Sequence, residues 1–217
     1  MKNPMPDIRT VADLLKQLGH IPAERVRWNP LPGTATKEDV VAADAHEDRL
    51  CELVDGVLVE KAMGYRESSL GAALIKYLCE FVDPRNLGLV SGEAGMMELF
   101  PGLVRIPDVA FASWARVPGG RMPAEPVPCL VPDPVVEVLS AGNTPQEMAR
   151  KRREYFRVGV RVVWMVDPVA RTVTVYTAPD QSRMLSEAET LKGDPVLPGF
   201  ELPLRDLFAR LDRRADA

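Results

Sequence analysis

Histidine is almost missing from this chain: His20 and His46 are the only two among 217 residues. That scarcity argues against a multi-histidine zinc centre, which needs several imidazoles among its ligands. Cysteine is equally sparse. Cys51, Cys79 and Cys129 are odd in number, far apart and form no CxxC pair. They read as reduced core or surface thiols of a cytoplasmic protein, not as a disulfide framework. No apolar run approaches the ~18 residues of a membrane-spanning helix. The N-terminus also lacks the basic-then-apolar pattern of an export signal, so neither a membrane nor secretion is expected. A surplus of positive charge is missing too: 27 Lys and Arg face 31 Asp and Glu, for a net charge of -4. A nonspecific nucleic-acid coat needs clustered Lys and Arg, and the balance argues against it while leaving room for a local basic face. No GxSxG nucleophile motif, internal repeat or low-complexity segment occurs.

What is present is enough apolar material, 46% of residues, for one large domain or one domain with an arm. Residues 10–18 have helical spacing, with Thr10 as the candidate N-cap and Gly19 as the stop. Residues 19–37 carry Pro22, Pro30, Pro32 and Gly33 and read as an irregular arm, and 38–48 reads as a short acidic helix. We divide the chain into an arm at residues 1–45 and a main domain at 46–217. Asp55-Gly56 between two apolar runs predicts a hairpin over Arg49 to Lys61. The stripe Leu70, Ala73, Leu74, Tyr77, Leu78 and Phe81 predicts a helix over 66–82. Strands are expected at 88–99, 103–112 and 134–139, with a Pro-rich loop at 117–134. A helix from Thr144-Pro145 to Val158 follows, then strands at 160–166 and 171–177, then a short strand and helix from Pro198 to Leu211. This order implies a mixed α/β sheet with helices on both faces.

Two of those strands carry one carboxylate each in an apolar run: Asp108 in Ile106-Pro107-Asp108-Val109-Ala110-Phe111, and Glu137 in Val135-Val136-Glu137-Val138-Leu139-Ser140. A buried carboxylate is costly unless paired, and two side by side repel. A divalent cation between them removes both penalties, and oxygen ligands suit Mg²⁺ or Mn²⁺. The carbonyl of Val138 is a further candidate ligand. Alternatively, Asp108 caps a turn and Glu137 faces water from an edge strand. Helical geometry places Lys151 with Met148, Tyr155 and Val158, on the face expected to meet the sheet, and turns Arg150, Arg153 and Arg157 elsewhere. An inward Lys151 suits stabilisation of phosphate charge or orientation of a water; otherwise it snorkels to solvent. Glu67, at the start of a helix, and Glu93, between two glycines, compete for supporting roles. Glu52 is expected on the solvent face of the hairpin, and Glu147 as an i,i+4 partner of Lys151.

The ordered set Glu52-Leu53-Val54-Asp55-Gly56-Val57-Leu58-Val59, Val104 to Phe111, Val135 to Ser140, Lys151 to Tyr155 and Trp164-Met165-Val166-Asp167-Pro168 resembles the Uma2 family over roughly residues 49–208. The resemblance implies the restriction-endonuclease-like PD-(D/E)XK fold, a mixed sheet flanked by helices. It makes Asp108 the Asp of the PD motif, Glu137 the acidic residue of the second motif, and Glu67 the acidic residue of the first core helix. The standard motif lysine would fall at residue 139, which is Leu; Lys151 is the natural migrated replacement.

The expectation is therefore a Mg²⁺- or Mn²⁺-dependent DNA endonuclease. Asp108, Glu137, Lys151 and Glu67 form its catalytic set, and Asp108, Glu137, Val138 and Glu93 hold the metal. The alternative is an inactive nuclease-fold protein that binds DNA or acts as a scaffold. A small-molecule metallohydrolase is a weaker third reading. A homodimer suits two cuts on duplex DNA, and the strands at 160–177 are candidates for pairing across it.

Overall fold

The computed structural model describes residues 8–47 and 49–214. Thr10 opens α1 (Val11–Gln17) through a reciprocal capping box: its hydroxyl accepts from the Asp13 N–H, and the Asp13 carboxylate accepts from the Thr10 N–H. The acidic α2 (Lys37–Glu47) spans the expected end of the arm at residue 45. Asp55 and Gly56, both at positive φ (51° and 74°), turn β1 (Cys51–Val54) into β2 (Val57–Glu60). A side chain at Gly56 would meet the Gly33 carbonyl at 2.7 Å, so the arm packs directly on this turn.

Next come α3 (Tyr65–Val82), β3 (Gly88–Ser91), β4 (Met97–Phe100), β5 (Leu103–Arg105) and β6 (Val109–Ser113). Two of the expected strands are therefore each split. Residues 88–99 break at the glycine-flanked turn around Glu93, and 103–112 break at Ile106-Pro107-Asp108, where proline supplies no ladder donor. In both cases the halves join different sheets. After the long loop come β7 (Val135–Val138), α4 (Pro145–Arg157), β8 (Val163–Asp167) and β9 (Thr172–Ala178). Two strands that carried no clear periodicity follow, β10 (Gln181–Ser186) and β11 (Thr190–Lys192), and then β12 (Glu201–Pro203) and α5 (Leu204–Phe208).

The central sheet has the order β10-β9-β8-β7-β6-β3. Only β7 and β8 run parallel, joined through α4, and the other pairs are antiparallel. A smaller antiparallel sheet, β2-β1-β5-β4, packs beside it. This is the mixed α/β fold with flanking helices. One expectation fails here: β8 and β9 are each paired on both sides within the sheet, so they offer no free edge to a second copy, and the edge strands are β10 and β3. Among the described residues, no helix is long and apolar enough to cross a membrane.

Alternation along the strands gives the central sheet two unlike faces. Val109, Phe111, Val136, Val138, Trp164 and Val166 pack with Leu70, Leu74 and Leu78 of α3 and with Leu207 and Phe208 of α5. Ala110, Ala112, Val135, Val163 and Met165 pack with Leu14 and Leu18 of the arm and with Met148 and Tyr155 of α4. Each fully buried Leu of this kind contributes about 1.5–3 kcal/mol. Glu137 stands on the second face, between strand neighbours that point to the first.

Candidate active site

The site lies where β6 begins and β7 ends. Because these strands are antiparallel, the break before β6 puts Asp108 beside the last residues of β7. The Asp108 N–H donates to the Val136 carbonyl at 3.1 Å, and Asp108 Oδ2 accepts from the Val138 N–H at 2.6 Å. The latter bond ties the two carboxylate-bearing segments together. Proline ends β5 just before Asp108, whose N–H stays bonded to β7 while its side chain reaches the Val138 N–H at the end of that strand.

Glu137 is buried, and both of its oxygens are engaged. Lys151 Nζ stands 3.3 Å from Oε2, and the Tyr155 hydroxyl donates to Oε1 through a short bond. Lys151 and Tyr155 are one turn apart on α4, which the Thr144–Glu147 capping box and Pro145 start in the right register. The inward orientation expected for Lys151 is present; it does not snorkel. Burial raises the Glu137 carboxyl above its ordinary value, and Asp108 and Glu52 add to this against the opposing Lys151 ammonium. The Lys151 ammonium moves upward, because Glu137 and Glu52 outweigh the burial that would lower it.

Glu52 overturns its expected place on the solvent face. It is fully buried, with Oε1 3.0 Å from Lys151 Nζ and Oε2 2.6 Å from an Arg105 nitrogen. Its Oε1 also accepts from the Ile106 N–H at 3.1 Å. Burial alone would raise this carboxyl, but the Lys151 and Arg105 charges hold it down at about 2. The reason lies in strand pairing. The β1–β5 register joins Leu53 to Val104, so Glu52 and Arg105 stand one step beyond that pair as opposite charges. Arg105 extends the network to Glu154 of α4, with Nε 2.9 Å from Oε2.

Two expectations about α4 also change. Glu147 is not chiefly a partner of Lys151; it takes a two-pronged ion pair from buried Arg25 of the arm at 2.8 and 2.9 Å. Arg150 is not simply in water, since it pairs with Asp55 and with Glu154, each at 2.7 Å. Arg25 and Asp55 come from segments remote in sequence, which helical spacing cannot report, whereas Glu154 is the i,i+4 neighbour of Arg150 on α4.

Glu93 lines a cavity together with Asp108, whereas Glu67 is not among the residues lining it. This cavity, of about 310 Å³, is lined by Ser68, Gly71 and Ile75 of α3, by Glu93 and Gly95, and by Asp108. Ser68 Oγ donates to the Glu93 carboxylate at 3.2 Å. Glu67 is half-buried, and its carboxylate folds over Gly64 at the start of α3, where negative charge is favoured. Lys61, the residue after β2, was not anticipated. Its Nζ lies 2.9 Å from Asp108 Oδ1 and 3.3 Å from the Glu93 carbonyl.

Asp108 and Glu137 fit a hard divalent cation in donor type. Their present partners leave little open coordination, however, and the described residues contain no set of three or more His, Cys, Asp or Glu placed to hold a metal. The obstacle is Lys61 on Asp108, together with Lys151 and Tyr155 on Glu137.

No curated protein sequence matches the chain. Its fold is shared with a crystal structure from Anabaena variabilis described as a putative nuclease belonging to DUF820, at a TM-score of 0.67 and 20% sequence identity, over 76% of this chain and 92% of that one. The sequence model of Uma2, described as putative restriction endonuclease, matches residues 38–205 and so takes in both carboxylate strands, the hairpin and α4. The chain therefore belongs to the Uma2 family of restriction-endonuclease-like proteins.

Proposed function

We propose that the protein is a divalent-metal-dependent endonuclease that hydrolyses phosphodiester bonds of DNA. The observation that carries this reading is the junction of Asp108 and Glu137 across the β6–β7 end, beside a cavity that Glu93 also lines. Family membership supports the nuclease class. Asp108 and Glu137 would hold Mg²⁺ or Mn²⁺, with the Val138 carbonyl and Glu93 as further oxygen donors. When bound, such a cation activates water and neutralises phosphate charge. The chain's own groups do the rest. Lys151 and Tyr155 fix the position of Glu137, and Ser68 orients Glu93. Lys151 also supplies positive charge behind the reacting phosphate, in place of the lysine absent at Leu139. Glu67 serves at the start of α3 as an outer acidic group.

The test is cleavage of plasmid and single-stranded DNA by the full chain in Mg²⁺ or Mn²⁺. Asp108→Ala is expected to fold as the parent does, by circular dichroism, and to lose cleavage to background. Cleavage by the folded variant at the parent rate would overturn the reading. A second reading, a DNA-binding protein on an inactive nuclease fold, is favoured by the Lys61 ammonium already seated on Asp108. DNA binding by parent and variant alike, with no cleavage by either, would select it.

A further inference from the structure

Lys61 is a buried cation that the family pattern does not use. It follows β2, and its side chain is only 3% exposed, against 15% for Asp108. Asp108 Oδ2 already accepts from the Val138 N–H, which leaves Oδ1 the freer oxygen for a cation, and Lys61 Nζ stands 2.9 Å from it. The same ammonium reaches the Glu93 carbonyl at 3.3 Å, on the turn that lines the cavity. Lys61 thus bridges two of the groups expected to surround a metal.

Asp108, Glu52, Glu137 and Glu154 each already have a cationic partner without a metal. Lys151 stands between Glu52 and Glu137, Arg105 between Glu52 and Glu154, and Lys61 on Asp108. Adding a divalent cation at Asp108 without moving anything would place it against an ammonium in a poorly solvated site, where like charges repel strongly.

We propose that Lys61 is a positioning residue whose ammonium is the built-in counter-ion of Asp108 and must be displaced for a divalent cation to bind there. This rests on reading Asp108 as a metal ligand. Lys61 keeps Asp108 aimed at the cavity before loading, and it lowers the apparent metal affinity because binding and displacement are one exchange. Once released, its flexible stem leaves the ammonium close to the same cavity.

The experiment is calorimetric titration of Mn²⁺ into the full chain, comparing the parent with Lys61→Met, Lys61→Gln, Lys61→Arg and Asp108→Asn. Removing the ammonium is expected to tighten Mn²⁺ binding about tenfold, the scale on which groups around a metal's ligands act. Lys61→Arg, which keeps the charge, stays near the parent, and Asp108→Asn loses binding. Thermal unfolding gives a second readout: Mn²⁺ raises the melting temperature more for the Met and Gln variants than for the parent. If the parent binds Mn²⁺ through Asp108 and neither neutral variant binds it more tightly, this proposal is overturned while the metal reading stands. If no form binds Mn²⁺ at millimolar concentration, both fall.

Discussion

The two faces of the central sheet are built from alternate residues of the same strands, yet they obey different rules. The face under α3 and α5 is dry. Even Trp164, fully buried there, has its Nε1 without a hydrogen-bond partner among the described residues. The face under α4 carries Glu137, which meets Lys151 and Tyr155 of α4 and is linked through Lys151 to Glu52 and Arg105 of the smaller sheet, all of them buried. The dry face is held by shape and apolar area, and a loss there is local. The charged face is held by mutual compensation, so removing one member strands the others. That arrangement is an expensive way to stabilise a sheet, and it stands at the strand ends where Asp108 and the cavity lie.

The largest effect is expected from Lys151→Met. It leaves Glu52 and Glu137 buried without their shared cation, a cost of about 3–5 kcal/mol. Urea unfolding would measure it, and adding Glu137→Gln should recover part of the loss because one stranded charge is then removed. On the dry face Leu74→Ala is expected to cost a comparable amount, about 2–5 kcal/mol, through a cavity. No charge substitution elsewhere should rescue it. Equal rescue on both faces would erase the distinction.

Acid unfolding gives an intermediate test. The Glu52 carboxyl is lowered from its usual 4.5 to about 2 in the folded protein. A depressed carboxyl contributes stability that is complete above the unfolded value and is lost as pH falls through the folded one. Stability should therefore drop between pH 4.5 and 2 partly through Glu52. Glu52→Gln, although less stable near neutrality, should show a shallower slope in that window. The raised Glu137 carboxyl acts with the opposite sign, its contribution being present at low pH and lost as pH rises through its folded value.

The smallest effect separates the faces most cleanly. Tyr155→Phe removes a hydroxyl that donates to buried Glu137 and should cost about 1.5 kcal/mol or more in urea unfolding. Trp164→Phe removes an indole N–H that bonds to nothing described, so only packing volume is lost. An equal hydrogen-bond penalty in both variants, after allowance for volume, would show that the dry face is not dry.

Much of this contrast was legible in the sequence. The hairpin turn at Asp55-Gly56, the capped starts of α1 and α4 and the stripe of α3 are local signals, and each produced its element. Glu137 between apolar neighbours and Lys151 on the face of Tyr155 marked their burial in advance. The splits at Glu93 and at Pro107 were harder, because continuous apolar runs conceal a change of sheet. The solvent-side expectation for Glu52 fails because alternation in a hairpin says which residues share a side, not whether that side faces water or another layer. Arg105 carried the same signal as Glu137, one charge within Leu103-Val104-Arg105-Ile106, and its ion pair with Glu52 follows from the β1–β5 register.

By itself, the sequence determined most of the elements and three carriers of chemistry, since period two along a strand and one turn along a helix are short-range rules. It singled out Asp108, Glu137 and Lys151. Only the tertiary structure decided what surrounds them: Glu52 and Arg105 from the smaller sheet, Arg25 from the arm on Glu147, and Lys61 on Asp108. The physical reason is range. A charge meets its partner at about 3 Å in space, and which distant segments come that close is set by strand order and layer packing, which local patterns do not encode.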